Sequence, residues 1–495
     1  MKATHDLHQL IRSMSMSEKR YFKIHASRHV IGDSNNYIRL FDAIERQSSY
    51  DEDDLRQKFA GESFIRHLAS EKHYLYNQVL DSLNYFNRNK TYLSRHSAIA
   101  STLEILLNRG LFDQCKKLIR KAKKDSYELE KFSSLLTFIR CEIVINIKDE
   151  DDKALNRNIN ESIRIVDVMR YQMALMQIAF NIQIRIDKGT VTESFIREMT
   201  RSLEDAYPAR PEVNSFWSRY YYQSGIGLLS AVRNNQARRY ECFKEIKKLM
   251  DASPQFIVEL PGIYHLNSNN LVNVMFYLRK FDEVETLISQ QRRFMNENGI
   301  KQPNLARVVF INTCESELFL YYKTKRTASG ISVLKKIESE VKKMDNTAGP
   351  ILYDLLFFMA VTELVACNYK NATRWLNRIL NTDEKINLRK ELVVNTRLLF
   401  LIVLFESHDK LFENRLHAMK RFLAHEPKFV FHTKVSDMMR LLAEGSFTEK
   451  KKAAIKRLSN EIKKEGKQIT EATLNKQFDF SEWVERTIDE TLKEQ

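Results

Sequence analysis

Residues 351–384 have the sequence ILYDLLFFMAVTELVACNYKNATRWLNRILNTDE, and this stretch decides the fold. On both sides of a short polar segment, residues 367–371, apolar residues recur at the spacing of a helix. The polar segment is too short for anything but a turn, so the two helices must run antiparallel. The apolar positions are Leu352, Leu355, Leu356, Met359, Leu364, Val365, Ala372, Trp375, Leu376, Ile379 and Leu380. The stretch therefore predicts a helix hairpin.

Further turns of this kind recur along the chain. Between residues 95 and 430 they follow one another roughly every 40 residues, which is the spacing of a repeat built from two helices. The predicted turns lie at Gly110, 147–152, 187–190, 233–236, 278–283, 323–327, 367–371 and 407–410. One hairpin buries too little apolar surface to offset the entropy lost on ordering it, whereas stacked hairpins bury their shared face. The pattern favours an array of stacked hairpins.

The segment NYKNATRWLNRIL, residues 368–380, resembles the second half of a tetratricopeptide repeat. At the matching positions, Ala372 is the small residue that lets two helices approach closely, and Leu376 is the bulky residue that fills the groove. The other segments that resemble this half-repeat well lie around Phe112, Phe281 and Phe412.

This resemblance implies an all-α fold, a right-handed α-solenoid of about eight antiparallel hairpins whose first helices line a concave wall. Walls of this kind bind extended peptides or helices. Two features depart from the family. The period is longer than the usual ~34 residues, and Glu363 and Glu406 stand where the family usually places an aromatic residue. Pairing of the HEAT type is the alternative that the residues leave open.

The scarcity of glycine and proline supports an all-helical chain, since 12 glycines and 7 prolines in 495 residues force few breaks. We expect an N-terminal helical module over residues 1–95, tetratricopeptide-like repeats over 96–430, and C-terminal helices over 431–495. In the repeats, residues 155–166 and 169–186 are expected to form separate helices. The C-terminal helices either cap the last hairpin or dock on a partner, because an exposed apolar end promotes aggregation.

The chain is basic, with a formal net charge of +15 and a pI of about 9.3, which favours an acidic partner such as nucleic acid. Its 79 basic residues alternate with 64 acidic ones, however, and solvated helix faces have the same composition. Five widely spaced cysteines without a CxxC pair indicate buried free thiols in a reducing compartment. The longest apolar run is too short to cross a bilayer, so we expect a cytoplasmic protein that does not bind membranes.

The sequence contains no motif of a known catalytic chemistry. Phosphate-loop, Rossmann, zinc-protease and kinase motifs are missing, and the twelve histidines are scattered without the spacing of metal ligands. We therefore expect no enzyme, no cofactor and no metal site. The favoured function is a scaffold or adaptor that binds a protein or peptide segment on the concave face. A nucleic-acid-binding repeat protein is the alternative, and the oligomeric state stays open.

Two clusters of residues are candidates for binding a partner. A helix in a two-layer array cannot bury every face, so part of the aromatic segment FWSRYYY, residues 216–222, is expected on an inner wall. A basic cluster lies on one helix, where a solvated face is the alternative to a site for an acidic partner. The candidate residues are Trp217, Arg219, Tyr220, Tyr221, Lys116, Lys117, Arg120 and Lys124. Packing in the core is the alternative for the aromatic residues.

Overall fold

The structure, a computed structural model, describes residues 3–27, 36–88, 91–206, 215–298, 303–344, 349–382, 386, 388–445, 447–472 and 478–493. Within these ranges every regular element is a helix and no strand is found, so the prediction of an all-α protein is confirmed. The chain divides into two compact units, residues 1–166 and 167–495.

Unit 1, residues 1–166, has two separate hydrophobic clusters. Its helices are α1 (Ala3–Ser13), α2 (Met16–Ser27), α3 (Asn36–Arg46), α4 (Glu52–Lys58), a short 3₁₀ helix (Ser63–His67), α5 (Leu68–Asn87), α6 (Tyr92–Asn108), α7 (Phe112–Glu128) and α8 (Phe132–Lys148). The first cluster joins α1 to α5, where α5 packs against α1, α2 and α3 around Phe22 and Phe41. The second joins α6, α7 and α8 around Ile119 and Phe138.

The next helix, α9 (Asp152–Asp187), corrects the prediction of two helices in this part of the sequence. It is a single helix of 36 residues that contains the boundary between the two units. The physical reason is that no glycine or proline occurs between Asp152 and Asp187, so nothing interrupts the backbone hydrogen bonds.

Unit 2, residues 167–495, is built mainly from helices that pack against their neighbours in sequence. They are α10 (Glu193–Ala206), α11 (Phe216–Val232), α12 (Gln236–Asp251), α13 (Pro254–Glu259), α14 (Pro261–Tyr277), α15 (Phe281–Asn298), α16 (Pro303–Lys323), α17 (Thr327–Lys343), α18 (Ile351–Val365), α19 (Tyr369–Leu380), α20 (Lys390–Glu406), α21 (Phe412–Ala424), α22 (Val430–Ala443), α23 (Glu449–Ala472) and α24 (Phe480–Lys493). One cluster of buried residues extends from Phe216 to Val484.

Packing in unit 2 follows one rule. The helices α14, α16, α18, α20 and α22 form a row in which each member packs against the next. Each of them also packs against the helix that follows it in the chain. A row member therefore contacts apolar side chains on two sides, and α18 is buried at twelve of its fifteen residues. Burial on several faces explains why α18 is apolar nearly all round.

Nine connections between successive helices in the described residues use one repeated turn, in which a single residue has a positive φ. At Cys367 (φ 59°), the residue's own N–H donates to the carbonyl of Leu364, and the next N–H donates to the carbonyl of Glu363. These two bonds satisfy the free carbonyls at the end of α18, the arrangement known as the Schellman motif. The residues with positive φ in equivalent turns are Gly110, Glu130, Glu150, Gly189, Asn234, Arg279, Lys325 and His408.

The sequence placed turns at eight of these positions, and the turn at Glu130 was missed. In the hairpin of α18 and α19, Ala372 and Leu376 are fully buried, as the close approach of two helices requires. Trp375 is 2% exposed and lies in the same cluster.

Candidate interaction surfaces

The aromatic segment of residues 216–222 begins α11, and its side chains mainly contact one another. Ser215 caps the helix by accepting the N–H of Ser218 at 3.1 Å. Phe216 is 6% exposed and stacks on Phe256 with the ring centroids 4.0 Å apart. The ring of Trp217 lies 5.2 Å from that of Phe216 and almost perpendicular to it. These contacts fix the start of α11 to the core of unit 2.

The candidate residues of this segment differ in exposure. Trp217, Tyr220 and Tyr221 are half-buried, and Arg219 is exposed. The Oη atom of Tyr220 accepts a hydrogen bond from the side chain of Asn267 at 3.2 Å, and burial raises the pKa of Tyr220. Burial also raises the pKa of Tyr221. The aromatic rings thus contribute to packing, while the side chain of Arg219 is exposed to solvent.

The basic candidates on α7 fall into two groups. Lys116 forms an ion pair with Asp149 at 2.7 Å, and Lys124 lies 3.9 Å from Glu128 on the exposed surface. Lys117 and Arg120 are exposed, and neither forms an ion pair within the described residues. Part of the positive charge that the sequence places on α7 is therefore neutralised by neighbouring acids.

The C-terminal strap, residues 478–493, comprises α24 and the two residues before it. It is bound to unit 2 through aromatic side chains. Phe478 stacks on Tyr322 at the end of α16, with the ring centroids 5.8 Å apart. Trp483 lies edge-on to Phe405 at the end of α20, again at 5.8 Å. The strap residues in this apolar contact, all less than 9% exposed, are Phe478, Phe480, Trp483 and Val484.

Polar contacts fix the register of the strap. The N–H of Asp479 donates to the Oη atom of Tyr322 at 2.9 Å, although the two residues are 157 positions apart. Glu406 accepts hydrogen bonds from the indole of Trp483 at 2.7 Å and from the guanidinium of Arg486 at 2.6 Å. Burial raises the pKa of Tyr322 far above its usual range, so this hydroxyl stays a neutral hydrogen-bond partner.

A glycine on α23 permits the close approach of the strap. A Cβ atom added at Gly466 would lie 1.9 Å from the Oγ and 3.2 Å from the Cβ of Ser481, so the Ser481 side chain would have to move. Sequence reasoning missed the site at which the strap binds. The available signal was Glu406 itself, an acid at a position that the repeat family fills with an aromatic residue. Glu363, the other such acid, accepts a hydrogen bond from the side chain of Asn368 at 2.9 Å.

A buried group of two hydroxyls and one imidazole in unit 1 is the set of described side chains that most resembles a catalytic arrangement. The hydroxyl of Tyr92 lies 2.6 Å from Nδ1 of His96 and 3.0 Å from the Oγ of Ser126. Ser126 is 0% exposed and donates to the carbonyl of Ala122, and burial lowers the pKa of His96 to about 4. A nucleophile that no substrate reaches does no chemistry, so these three side chains stabilise the contact of α6 and α7.

Neither a metal site nor a membrane-spanning helix is found in the described ranges. No group of three or more His, Cys, Asp or Glu side chains is placed to hold a metal ion there. Of the helices in those ranges, none is long and apolar enough to span a membrane. An open depression between α12 and α15, of about 810 Å³, is lined by Tyr240, Lys244, Lys280 and Glu283, and the acid is already paired with Lys280.

Comparison of the chain with protein-family models, with curated proteins and with solved structures found no match.

Proposed function

We propose that this protein is a non-catalytic scaffold or adaptor, in which a tetratricopeptide-like right-handed α-solenoid binds a segment of a partner protein. The proposed solenoid contains about eight hairpins. The repeated turn and the row of helices in unit 2 support this architecture, because an identical turn and packing to the next neighbour are typical of repeat proteins. We further propose a cytoplasmic location.

One observation carries the proposal: the helices of unit 2 already bind an amphipathic helix, the C-terminal strap. The strap inserts the rings of Phe478 and Trp483 beside Tyr322 and Phe405 and pairs Arg486 with Glu406. Aromatic anchors surrounded by charge pairs are typical of helix recognition. A surface that binds one such helix supports a role in binding others.

The proposed anchor for a partner is the exposed Arg219 with the half-buried Trp217, Tyr220 and Tyr221. Aromatic residues and arginine are enriched among residues that dominate binding energies. The rings are held in place by their mutual contacts, so a partner would pay little entropy to order them.

Affinity purification of the intact chain tests this proposal, with co-purifying proteins and nucleic acids both identified. We expect a protein partner at salt concentrations of roughly 50 and 200 mM, since contacts of this kind depend weakly on salt. The double variant R219A/Y221A should lose that partner. The matched control is Arg233→Ala, an exposed arginine at the other end of α11. Equal recovery with the double variant and the wild type would remove the anchor from the proposal.

The alternative function is binding of RNA or DNA by the basic surface of α7. It is favoured by Lys117, Arg120 and Lys121, which are exposed on one helix and form no ion pairs within the described residues. Such binding should weaken steeply as salt rises, because phosphate contacts release bound counterions. The triple variant K117Q/R120Q/K121Q should then flatten the salt dependence. A flat salt dependence of the wild type would exclude this alternative.

A further inference from the structure

Three half-buried arginines of unit 2, Arg292, Arg326 and Arg378, are paired with acceptors. Arg326 donates two hydrogen bonds to Glu285, both at 3.0 Å. Arg292 donates to Glu317, and Arg378 donates to the backbone carbonyls of Val341 and Met344. These pairs follow the general rule that a buried charge requires a partner, because removing an ion from water without one is costly.

Arg397, in the middle of α20, departs from this rule. It is half-buried, and its Nε atom is buried without a hydrogen-bond acceptor among the described residues. The other described arginine with such nitrogens is Arg239. Arg397 differs from Arg239 because a second cation, Arg415 of α21, is its charged neighbour. Burial, and to a smaller extent repulsion from Arg415, lowers the pKa of Arg397. Within the described residues, neither Arg397 nor Arg415 forms an ion pair.

The geometry of the α20–α21 hairpin holds these two arginines in place. The guanidinium of Arg397 lies over the ring of Phe422 on α21, 4.6 Å from its centroid. The guanidinium of Arg415 lies over the ring of Phe400 on α20, 5.7 Å from its centroid. Each helix thus supplies one arginine and one ring, and the contacts cross the hairpin reciprocally. Phe400 is 6% exposed, so one side of the pair is apolar and excludes water.

We propose that Arg397 and Arg415 form a binding site for a small oxyanion, a phosphate or carboxylate group. Two guanidinium groups beside apolar rings lack the negative charge that would compensate them, and an oxyanion supplies it. The planar guanidinium is suited to both groups, because its N–H donors match the spacing of two oxygens. Contact with a ring face stabilises each cation only partly, by an amount smaller than a charge-assisted hydrogen bond. Arg415 is exposed, so an anion reaches the site from solvent.

Thermal unfolding of the full chain in inorganic phosphate tests the site, at constant ionic strength. Phosphate also stabilises proteins without binding, so the comparison is between variants in the same buffer. We expect a saturating concentration of phosphate to raise the Tm of the wild type, and to raise the Tm of Arg397→Gln or Arg415→Gln on the order of 1–3 °C less. The matched control, Arg421→Gln, replaces an exposed arginine on the same helix and should respond like the wild type.

The direction in which each substitution changes the Tm in phosphate-free buffer gives a second test. Because Arg397→Gln removes the repulsion from Arg415, its Tm in phosphate-free buffer should equal or exceed that of the wild type. Arg415→Gln, at an exposed position, provides the same comparison without altering a half-buried side chain. An equal response to phosphate in all four proteins would overturn the proposal.

Calorimetric titration with phosphate and with acetate separates the two sources of the oxyanion. Saturable binding of phosphate alone assigns a phosphate group, and binding of both anions assigns a carboxylate-sized site. In either case, binding should weaken at least tenfold in Arg397→Gln and Arg415→Gln. Saturable binding of neither anion to the wild type would refute the site. The inference is independent of the proposed scaffold function, which these measurements do not test.

Discussion

The two units of this protein solve the problem of burying apolar surface in different ways. Unit 1 divides its buried residues between two clusters, one on α1 to α5 and the other on α6 to α8. Most of the buried apolar residues of unit 2 belong to one cluster, which runs from Phe216 to Val484, and a smaller cluster joins α9, α10 and α11 around Leu203. A continuous buried cluster couples helices that are far apart in the sequence, whereas separate clusters leave the helices of one cluster independent of those of the other. Damage to the core should therefore remain local in unit 1 and spread in unit 2.

The largest effect should come from truncating a core ring in each unit. Trp375→Ala and Phe22→Ala each remove a buried ring, at a cost of about 3–5 kcal/mol. Hydrogen exchange should accelerate along most of residues 216–484 in Trp375→Ala, but only in α1 to α5 in Phe22→Ala. The control is Trp375→Phe, which keeps an aromatic ring and removes an indole N–H that has no acceptor among the described residues. Acceleration confined to α18, α19 and α20 in Trp375→Ala would contradict the comparison.

A buried charge offers a sharper test within unit 1. Lys72 is 2% exposed and pairs with Glu52 at 2.6 Å, and hydrogen bonds from Lys72 and then from Arg56 lower the pKa of Glu52 to about 2. Replacing Glu52 by Gln leaves the ammonium group buried without its anion and should cost about 1–3 kcal/mol in denaturant unfolding. Lys72→Met, which removes the charge, should be within about 1 kcal/mol of the wild type. Equal losses in the two variants would show that packing, not charge, decides the stability there.

The same pair predicts a dependence on pH. Because the pKa of Glu52 is lowered from 4.5 to about 2, its contribution is complete above pH 4.5 and is lost as the pH falls toward 2. Glu52→Gln should not show this part of the acid unfolding.

A histidine in each unit should make both units sensitive to mild acid. Burial lowers the pKa of His96 in unit 1 and of His432 in unit 2 from 6.5 to about 4. The unfolded chain therefore takes up protons between pH 6.5 and 4 while the folded chain does not, so stability falls across this range. We expect the Tm to fall about 2–4 °C between pH 7 and pH 5. His96→Gln should reduce the loss of stability at low pH in unit 1, and His432→Gln should reduce it in unit 2. Hydrogen exchange of each unit at pH 7 and pH 5 measures this loss.

The smallest effect should come from the repeated turn, which occurs in both units. Cys367 has a φ of 59°, which disfavours residues with a Cβ atom. Cys367→Gly should stabilise unit 2 by about 0.5 kcal/mol, after the entropy of the added glycine is subtracted. Gly110→Ala at the equivalent turn of unit 1 should destabilise by about 1 kcal/mol. A shift of the same sign in both variants would show that the turns are not equivalent.

The features that could be predicted from the sequence are those fixed by nearby residues. Apolar periodicity and short polar segments located the helices and turns, because helix hydrogen bonds and turn geometry involve residues within a few positions of one another. The burial of Ala372 and Leu376 followed from the same pattern. Where the pattern was interrupted only by charge, as within α9, the sequence predicted a break that the backbone does not have.

The features that could not be predicted depend on contacts between distant residues. Glu406 is unusual as an acid at its position, but no local rule relates positions 77 or 157 residues apart, so the sequence does not show that Asp479 and Trp483 bind at Tyr322 and Glu406. The surroundings of Arg397 are likewise formed by two helices, and one arginine in a sequence does not reveal a second beside it. The exposure of Arg219 and the half-burial of the rings around it are also tertiary properties.

Because the chain is synthesised from its N-terminus, the strap is made after the helices to which it binds. Tyr322 leaves the ribosome 157 residues before Asp479, its hydrogen-bond partner. At about 5–20 residues per second, this interval lasts on the order of 8–30 s. For that time the aromatic ring at the end of α16 is uncovered, and the end of α20, which is made 77 residues before Trp483, is uncovered for about half as long. Other molecules in the cell can therefore contact these rings before the strap does.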